Sequence, residues 1–183
     1  MESQAKTTEG LILSAVRFAA NKHRNQRRKD AEASPYINHP IELAHVLANE
    51  GGINDPVVLC AALLHDTIED TETTAEELTA AFGLEITNVV LDVTDDKSIK
   101  DKAKRKQLQI EHAPHISPKA KLVKLADKIC NLRDIASTPP ADWTQQRKAE
   151  YFDWAKKVIE GVRGTHPRLE GIFDETYRLK DRA

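Results

Sequence analysis

The stretch Leu63-Leu64-His65-Asp66-Thr67-Ile68-Glu69-Asp70 ends an apolar run in four side chains that can do chemistry. A His and an Asp behind the run AALL are costly to bury without a partner. A metal ion is an efficient partner, because it meets an imidazole and a carboxylate together. Glu69 follows His65 by four residues and Asp70 follows Asp66 by four. On a continuous helix each pair shares a face. Two carboxylates would then reach a water activated at the metal, to orient it or take its proton. The dipeptide HD also arises by chance, and the same string reads as a capped helix end followed by an acidic, solvated loop.

Two other segments bear on that choice. In Pro35-Tyr36-Ile37-Asn38-His39-Pro40, His39 stands just before a helix start, as an exposed cap residue or as a ligand. In Leu122 to Asp134, Asp127 interrupts the apolar stripe Leu122, Leu125, Ile129, Leu132. An Asp in that setting is salt-bridged, by Lys124 or Lys128, or is bound to a cation. Asn131 lies one turn further on the same face.

The elements that must position these groups read as helices nearly throughout. Apolar residues recur at three- and four-residue spacing, and alternating β-branched runs are scarce. Helices are expected over Thr8 to about Gln26, from Pro40 to before Gly51, and from Asp55-Pro56 to about Ile68. Thr74 and Glu77 form a capping box ahead of a short helix, and Leu84 to about Val93 continues as helix. The basic stretch Lys97 to about Ile110 follows, then a helix opened by Ser117-Pro118. Thr144 to Gly161 and Arg168 to Leu179 complete an all-α domain of eight or nine helices.

The 183 residues suit one domain spanning 1–183, and a chain of this size buries roughly two thirds of its unfolded surface. Residues are 40% hydrophobic and 31% charged, with a formal net charge of −2, so bulk charge does not favour nucleic acid or membrane as a partner. An anionic ligand must be attracted by a local cluster. Cys60 and Cys130 both sit in apolar helical patterns and read as reduced core thiols. The polar start MESQAKTTEG has no apolar leader region and no stretch reaches the length of a membrane span, so a cytoplasmic location is expected.

A His before a helix, then HD, then a distant Asp resembles the HD phosphohydrolase superfamily. The strings YINHP, AALLHDTIEDT, VTDDKS and KLVKLADKICNLRD are similar to the small alarmone hydrolases, the metazoan SpoT-homologue-like, single-domain relatives of the hydrolase half of the Rel/SpoT enzymes. The likeness extends from HRNQRRKD to EYFDWAKKVIEG. Asp134, after NLR, is typical of the short group, whereas the long enzymes often carry Thr there. The chain is too short for the synthetase and regulatory domains of the long enzymes, so synthesis is not expected.

The resemblance implies an HD-domain helical bundle with a metal held by His39, His65, Asp66 and Asp127. Two imidazoles and two carboxylates, with water completing the shell, suit an octahedral Mn²⁺-type ion better than a closed zinc site. Glu69 and Asp70 match the pair that handles the attacking water, without a division of labour. Arg28, Lys29 and Asn131 match substrate contacts, with Arg28 able to stack on a base. Lys102, with Arg105 and Lys106, holds distal phosphates or forms a plain basic helix face. Arg147 and Tyr151 share a face four residues apart and are expected to close the pocket over a phosphate. Arg24 and Arg27 read as a solvated turn, and His23, His45, His112, His115 and His166 as ordinary surface or core residues. The implied reaction is removal of the 3′-pyrophosphate of (p)ppGpp, giving GDP or GTP. The alternatives are removal of the 2′-phosphate of NADPH in the same site, or a catalytically silent nucleotide sensor.

Overall fold

Side-chain oxygens fix where most of the helices begin. Thr7, Asp55, Asp101, Ser117 and Thr144 each accept a hydrogen bond from a backbone N–H in the first turn that follows. Such a cap is worth about 1 kcal/mol. Pro56, Pro118 and Pro167 stand at first-turn positions, where a missing N–H costs nothing.

A computed structural model describes residues 7–183; part of the N-terminal stretch read above as lacking a leader lies outside the described residues. The helices are α1 (Thr8–Lys22), α2 (Asn38–His45, continued by a π-helical turn Val46–Glu50), α3 (Pro56–Leu64), the single turn α4 (Thr67–Asp70) and α5 (Ala75–Phe82). Then come α6 (Leu84–Val93), α7 (Lys102–His112), α8 (Pro118–Ser137), α9 (Gln145–Glu160) and α10 (Pro167–Tyr177), which ends in a 3₁₀ turn Arg178–Arg182. Among the described residues there is no strand, and nine helices have eight residues or more, in agreement with an all-α fold. None is long and apolar enough to cross a membrane.

α3 is apolar on every side, and Val58 through Leu64 are all buried. It therefore lies at the centre, packed by α1, α2, α6 and α8. α8 is the second central rod, against α2, α3, α6, α9 and α10. Phe152, Phe173, Leu125 and Leu132 join the same cluster with no exposure. Cys60 and Cys130 are free and buried in it.

Four boundaries differ from the sequence reading, each for a local reason. α1 stops at Lys22, because His23 turns inward: its ring is buried against Tyr36 at 4.8 Å and its Nδ1 lies 2.6 Å from Gln26 Oε1. α3 stops at Leu64, because side chains take its last carbonyls: His65 Nδ1 bonds Ala62 O at 2.7 Å and the Thr67 hydroxyl donates to Leu64 O at 2.7 Å. The chain bends there, so His65 and Asp66 stand between α3 and α4. α2 begins at Asn38, ahead of Pro40, and α7 begins only after Asp101, which accepts from Ala103 and Lys104 N–H. The capping box is half formed. Thr74 accepts from Glu77 N–H at 3.2 Å, but the Glu77 carboxylate turns 2.9 Å from Lys22.

Candidate active site

The bend after α3 places His65 and Asp66 at the bottom of a chamber of about 210 Å³. The first turn of α2 brings His39 to it, and the middle of α8 brings Asp127 and Asn131. His39 Nε2 lies 3.3 Å from Asp127 Oδ1, and His65 Nε2 lies 4.0 Å from the same oxygen. One ligand atom from each of His39, His65 and Asp127 falls within 4.8 Å of the others, a grouping that could hold a metal ion. Asp66 stands outside that trio; its Oδ2 is 2.9 Å from His65 Nε2 and accepts the Tyr36 hydroxyl.

The residues fit a divalent cation on three counts. Ala62 O only accepts, so His65 Nδ1 carries the proton and Nε2 presents its lone pair to the chamber. That Nε2 is buried, with Asp66 Oδ2 2.9 Å away but not aligned for a hydrogen bond. The chamber is lined by five carboxylates (Asp66, Glu69, Asp70, Asp95, Asp127) and three cations (Arg28, Lys124, Lys128), a formal charge of −2 that one divalent ion neutralises. Without that ion a proton serves instead: burial opposes charge on His65, but Asp66 and then Asp127 overcome it and hold the imidazole up to about 9. Asp127 is held well below the usual carboxylate range by Lys128, His39 and His65, against the cost of its burial.

Glu69 and Asp70 differ although they are neighbours on one turn. Burial pushes Glu69 up to about 7, and its carboxylate accepts only the Asp95 N–H, at 3.1 Å, with Lys97 3.9 Å away. Asp70 is engaged on both oxygens, by Gln26 Nε2 at 2.9 Å and by the Lys97 ammonium.

The chamber opens into a cleft of about 630 Å³, and both are lined by Arg28, Tyr36, His39, Asp70, Asn131 and Tyr151. The loop between α1 and α2 forms the cleft's rim. It is closed by an Arg27–Pro35 bridge and by Arg28 N–H to Ser34 O at 2.8 Å, with Ala33 in the left-handed region at φ 49°. Arg28 pairs with Asp134 and its guanidinium lies 5.8 Å from the Tyr36 ring. Asn131 donates to Asp127 Oδ1 at 2.7 Å. A third hollow of about 530 Å³ is lined by Lys29, Lys102, Lys106, Arg147 and Tyr151. Lys29 belongs to both outer hollows, and Tyr151 to all three. Lys102 and Arg147 line only the basic hollow, where Arg147 lies over the Trp143 ring at 4.5 Å. Arg105 points away, donating to Ile99 O. Arg27 lines the cleft but turns its guanidinium onto the carbonyls of Arg24 and Gln26.

A model of the HD domain family matches residues 15–153. A Xenopus tropicalis protein, guanosine-3′,5′-bis(diphosphate) 3′-pyrophosphohydrolase MESH1, is 58% identical over 91% of this chain and 93% of its own length. The chain belongs to the MESH1 group of the HD domain family. The human MESH1 protein is 56% identical over 92% of this chain and 94% of its own length. A solved structure described as a metazoan ortholog of SpoT that hydrolyses ppGpp, with a role in starvation responses, superposes with a TM-score of 0.91 at 46% identity. The likeness covers 98% of this chain and 100% of that one. This MESH1-group chain has further groups at the site that the sequence reading passed over. Tyr36 lies inside the quoted string YINHP, yet nothing in its spacing marks the hydroxyl that meets Asp66. Lys124 and Lys128, read from the sequence only as salt-bridge partners for Asp127, form with it and Asn131 a polar stripe at helical spacing.

Proposed function

We propose that residues 1–183 form a single HD-type, Mn²⁺-dependent phosphohydrolase domain that removes the 3′-pyrophosphate of (p)ppGpp. The observation that carries this reading is one chamber. His39, His65, Asp66, Glu69, Asp70 and Asp127 all line it, and it opens into a cleft large enough for a nucleoside, in a chain 58% identical to a named ppGpp hydrolase. In our assignment His39, His65, Asp66 and Asp127 hold the metal. Imidazole and carboxylate donors with room for water suit Mn²⁺. When bound, the ion supplies a Lewis acid to the phosphate and acidifies the attacking water.

The protein's own groups do the rest. Glu69, poised near neutrality, takes the water's proton, and Asp70, fixed by Gln26 and Lys97, orients the water. The water oxygen bonds to the 3′-phosphorus, the P–O3′ bond breaks, and O3′ leaves and takes up the proton that Glu69 accepted from the water. GDP and pyrophosphate result from ppGpp. Arg28 stacks on the base from the cleft wall, Asn131 keeps Asp127 aligned, and Lys29, Lys102, Arg147 and Tyr151 take the remaining phosphates from the basic hollow. We place the protein in the cytoplasm; two unpaired buried thiols suit a reducing compartment.

The base assignment predicts a pH limb. Glu69 is active as the carboxylate, so log kcat/KM rises with pH up to about 7 and then levels, the cation shifting the limb downward. In Glu69→Gln this limb disappears. A wild-type limb that persists unchanged in Glu69→Gln removes Glu69 as the base.

NADPH also presents a phosphorylated ribose hydroxyl and competes for the same chamber. With Mn²⁺-loaded protein and equal ppGpp and NADPH in one tube, ppGpp is expected to disappear first. A pyrophosphate gives the metal and cations more charge to hold than one phosphate does. Preferential loss of NADPH overturns the substrate and leaves the site assignment standing; loss of neither favours a silent sensor.

A further inference from the structure

The chamber contains two buried ammonium groups that the metal ligands and the nucleotide contacts do not account for. Lys124, Asp127, Lys128 and Asn131 recur at i, i+3, i+4 and i+7 on α8, and all four line the chamber. Lys124 is 8% exposed and Lys128 4%. Burying a lysine is expensive unless it is paired. Lys128 is paired: its Nζ is 2.9 Å from Asp127 Oδ2 and 4.5 Å from the Trp154 ring centroid. Lys124 is not. Among the described residues it makes no ion pair within 4.0 Å, and its one hydrogen bond runs to the Val93 carbonyl at 3.4 Å. Its burial, and then Lys128, push its pKa below the ordinary lysine value. The charges of Asp127, Asp95 and Glu69 only partly offset these two causes, and an anion bound directly to the ammonium would stabilise its charge further.

Three arginines at the cleft are committed elsewhere, while Lys29 lines both the cleft and the basic hollow. Arg28 pairs with Asp134, Arg133 with Glu50 at 2.7 Å, and Arg27 with carbonyls of its own loop. The chamber and the cleft share six lining residues, so a nucleoside seated in the cleft projects its ribose substituent inward, toward α8.

We propose that Lys124 and Lys128 form an anion subsite at the inner end of the chamber, which receives the pyrophosphate split from the nucleotide. This rests on the phosphohydrolase reading above. It separates two phosphate sites by location: the inner lysines take the pyrophosphate transferred to water, and the basic hollow of Lys29, Lys102 and Arg147 takes the phosphates that stay on the nucleoside. Lys124 contributes most to the discrimination, because it is the cation without a resident carboxylate. In the low-dielectric chamber its bond to an anion is stronger than a surface lysine's.

The test uses inorganic pyrophosphate and GDP as separate probes. Each is titrated calorimetrically into metal-loaded protein, with metal content measured before and after. For Lys124→Met the pyrophosphate Kd is expected to rise about ten- to a hundredfold, the scale of one charge-assisted hydrogen bond. The GDP Kd and the metal content stay at wild-type values, and Lys124→Arg recovers most of the pyrophosphate affinity. If Lys124→Met loses its fold, Lys124→Gln removes the charge at similar length and gives the same comparison. An unchanged pyrophosphate Kd, or equal weakening of GDP and pyrophosphate, overturns the subsite. Because no turnover is read, a protein inactive on ppGpp that still shows charge-dependent pyrophosphate binding loses its proposed substrate but keeps the subsite. An active protein without that binding loses the subsite alone.

Discussion

Glu69→Gln combined with Asp70→Asn is expected to lower kcat by more than about 10⁴-fold while metal content and substrate binding persist, since a positioned acid–base group contributes about 10²–10⁴-fold. Both substitutions keep size and an accepting oxygen. Gln26 can still donate to residue 70 and the Asp95 N–H to residue 69, so the turn α4 keeps its anchors. What is lost is charge: the base at Glu69, and the Asp70 anion that Lys97 holds. Among the single variants, Glu69→Gln should be the slower and should lose the pH limb. Calorimetric binding of a non-hydrolysable analogue and metal analysis separate binding from chemistry. Turnover within tenfold of wild type takes both residues out of the mechanism, because their acid–base contribution is about 10²-fold or more.

His65→Ala and Asp127→Asn are expected to leave the purified protein without stoichiometric metal and without measurable hydrolysis, with helical content retained. The Asn is chosen with care. Asp127 accepts from Lys128 at 2.9 Å and from Asn131 at 2.7 Å, so Asp127→Ala would strand a buried lysine. Breaking a buried pair that way costs about 3–5 kcal/mol and would confuse lost metal with lost fold. Asp127→Asn keeps the size and one oxygen to which Lys128 can donate, while removing the charge that the cation and Lys128 share. Metal analysis after dialysis, with circular dichroism as the fold control, decides it. Stoichiometric metal retained in both variants refutes the ligand set.

Much of this arrangement was legible in the sequence because its signals are local. Caps at Asp55 and Ser117, each followed by a proline, and at Thr144 mark helix starts, and α3 declares its central place by being apolar on all sides. Asp127 stood out as a charge in an apolar stripe: Lys128 takes one oxygen, as the salt-bridge reading expects, and the other faces His39 and His65, where we propose the cation. Lys124, the other offered partner, does not pair with it. What stayed hidden depends on tertiary approach. The break after Leu64 comes from side chains capturing carbonyls, a choice that helical periodicity does not encode. The Tyr36 hydroxyl on Asp66, the Arg28–Asp134 pair and the Asp95 N–H on Glu69 join residues 26 to 106 positions apart. The same gap explains the basic segment after Asp101. Lys102 and Lys106 face a hollow shared with α9, whereas Arg105 turns back on its own loop.

The most direct test of the central claim is product analysis. Mn²⁺-loaded protein is incubated with ppGpp in ¹⁸O-enriched water and followed by phosphorus NMR and mass spectrometry. Cleavage of the P–O3′ bond by attack at phosphorus predicts GDP and pyrophosphate in equal amounts. The heavy oxygen should appear in the pyrophosphate and be absent from the GDP. Release of orthophosphate, label in the nucleoside product, or intact ppGpp with fully metallated protein would contradict the 3′-pyrophosphohydrolase assignment.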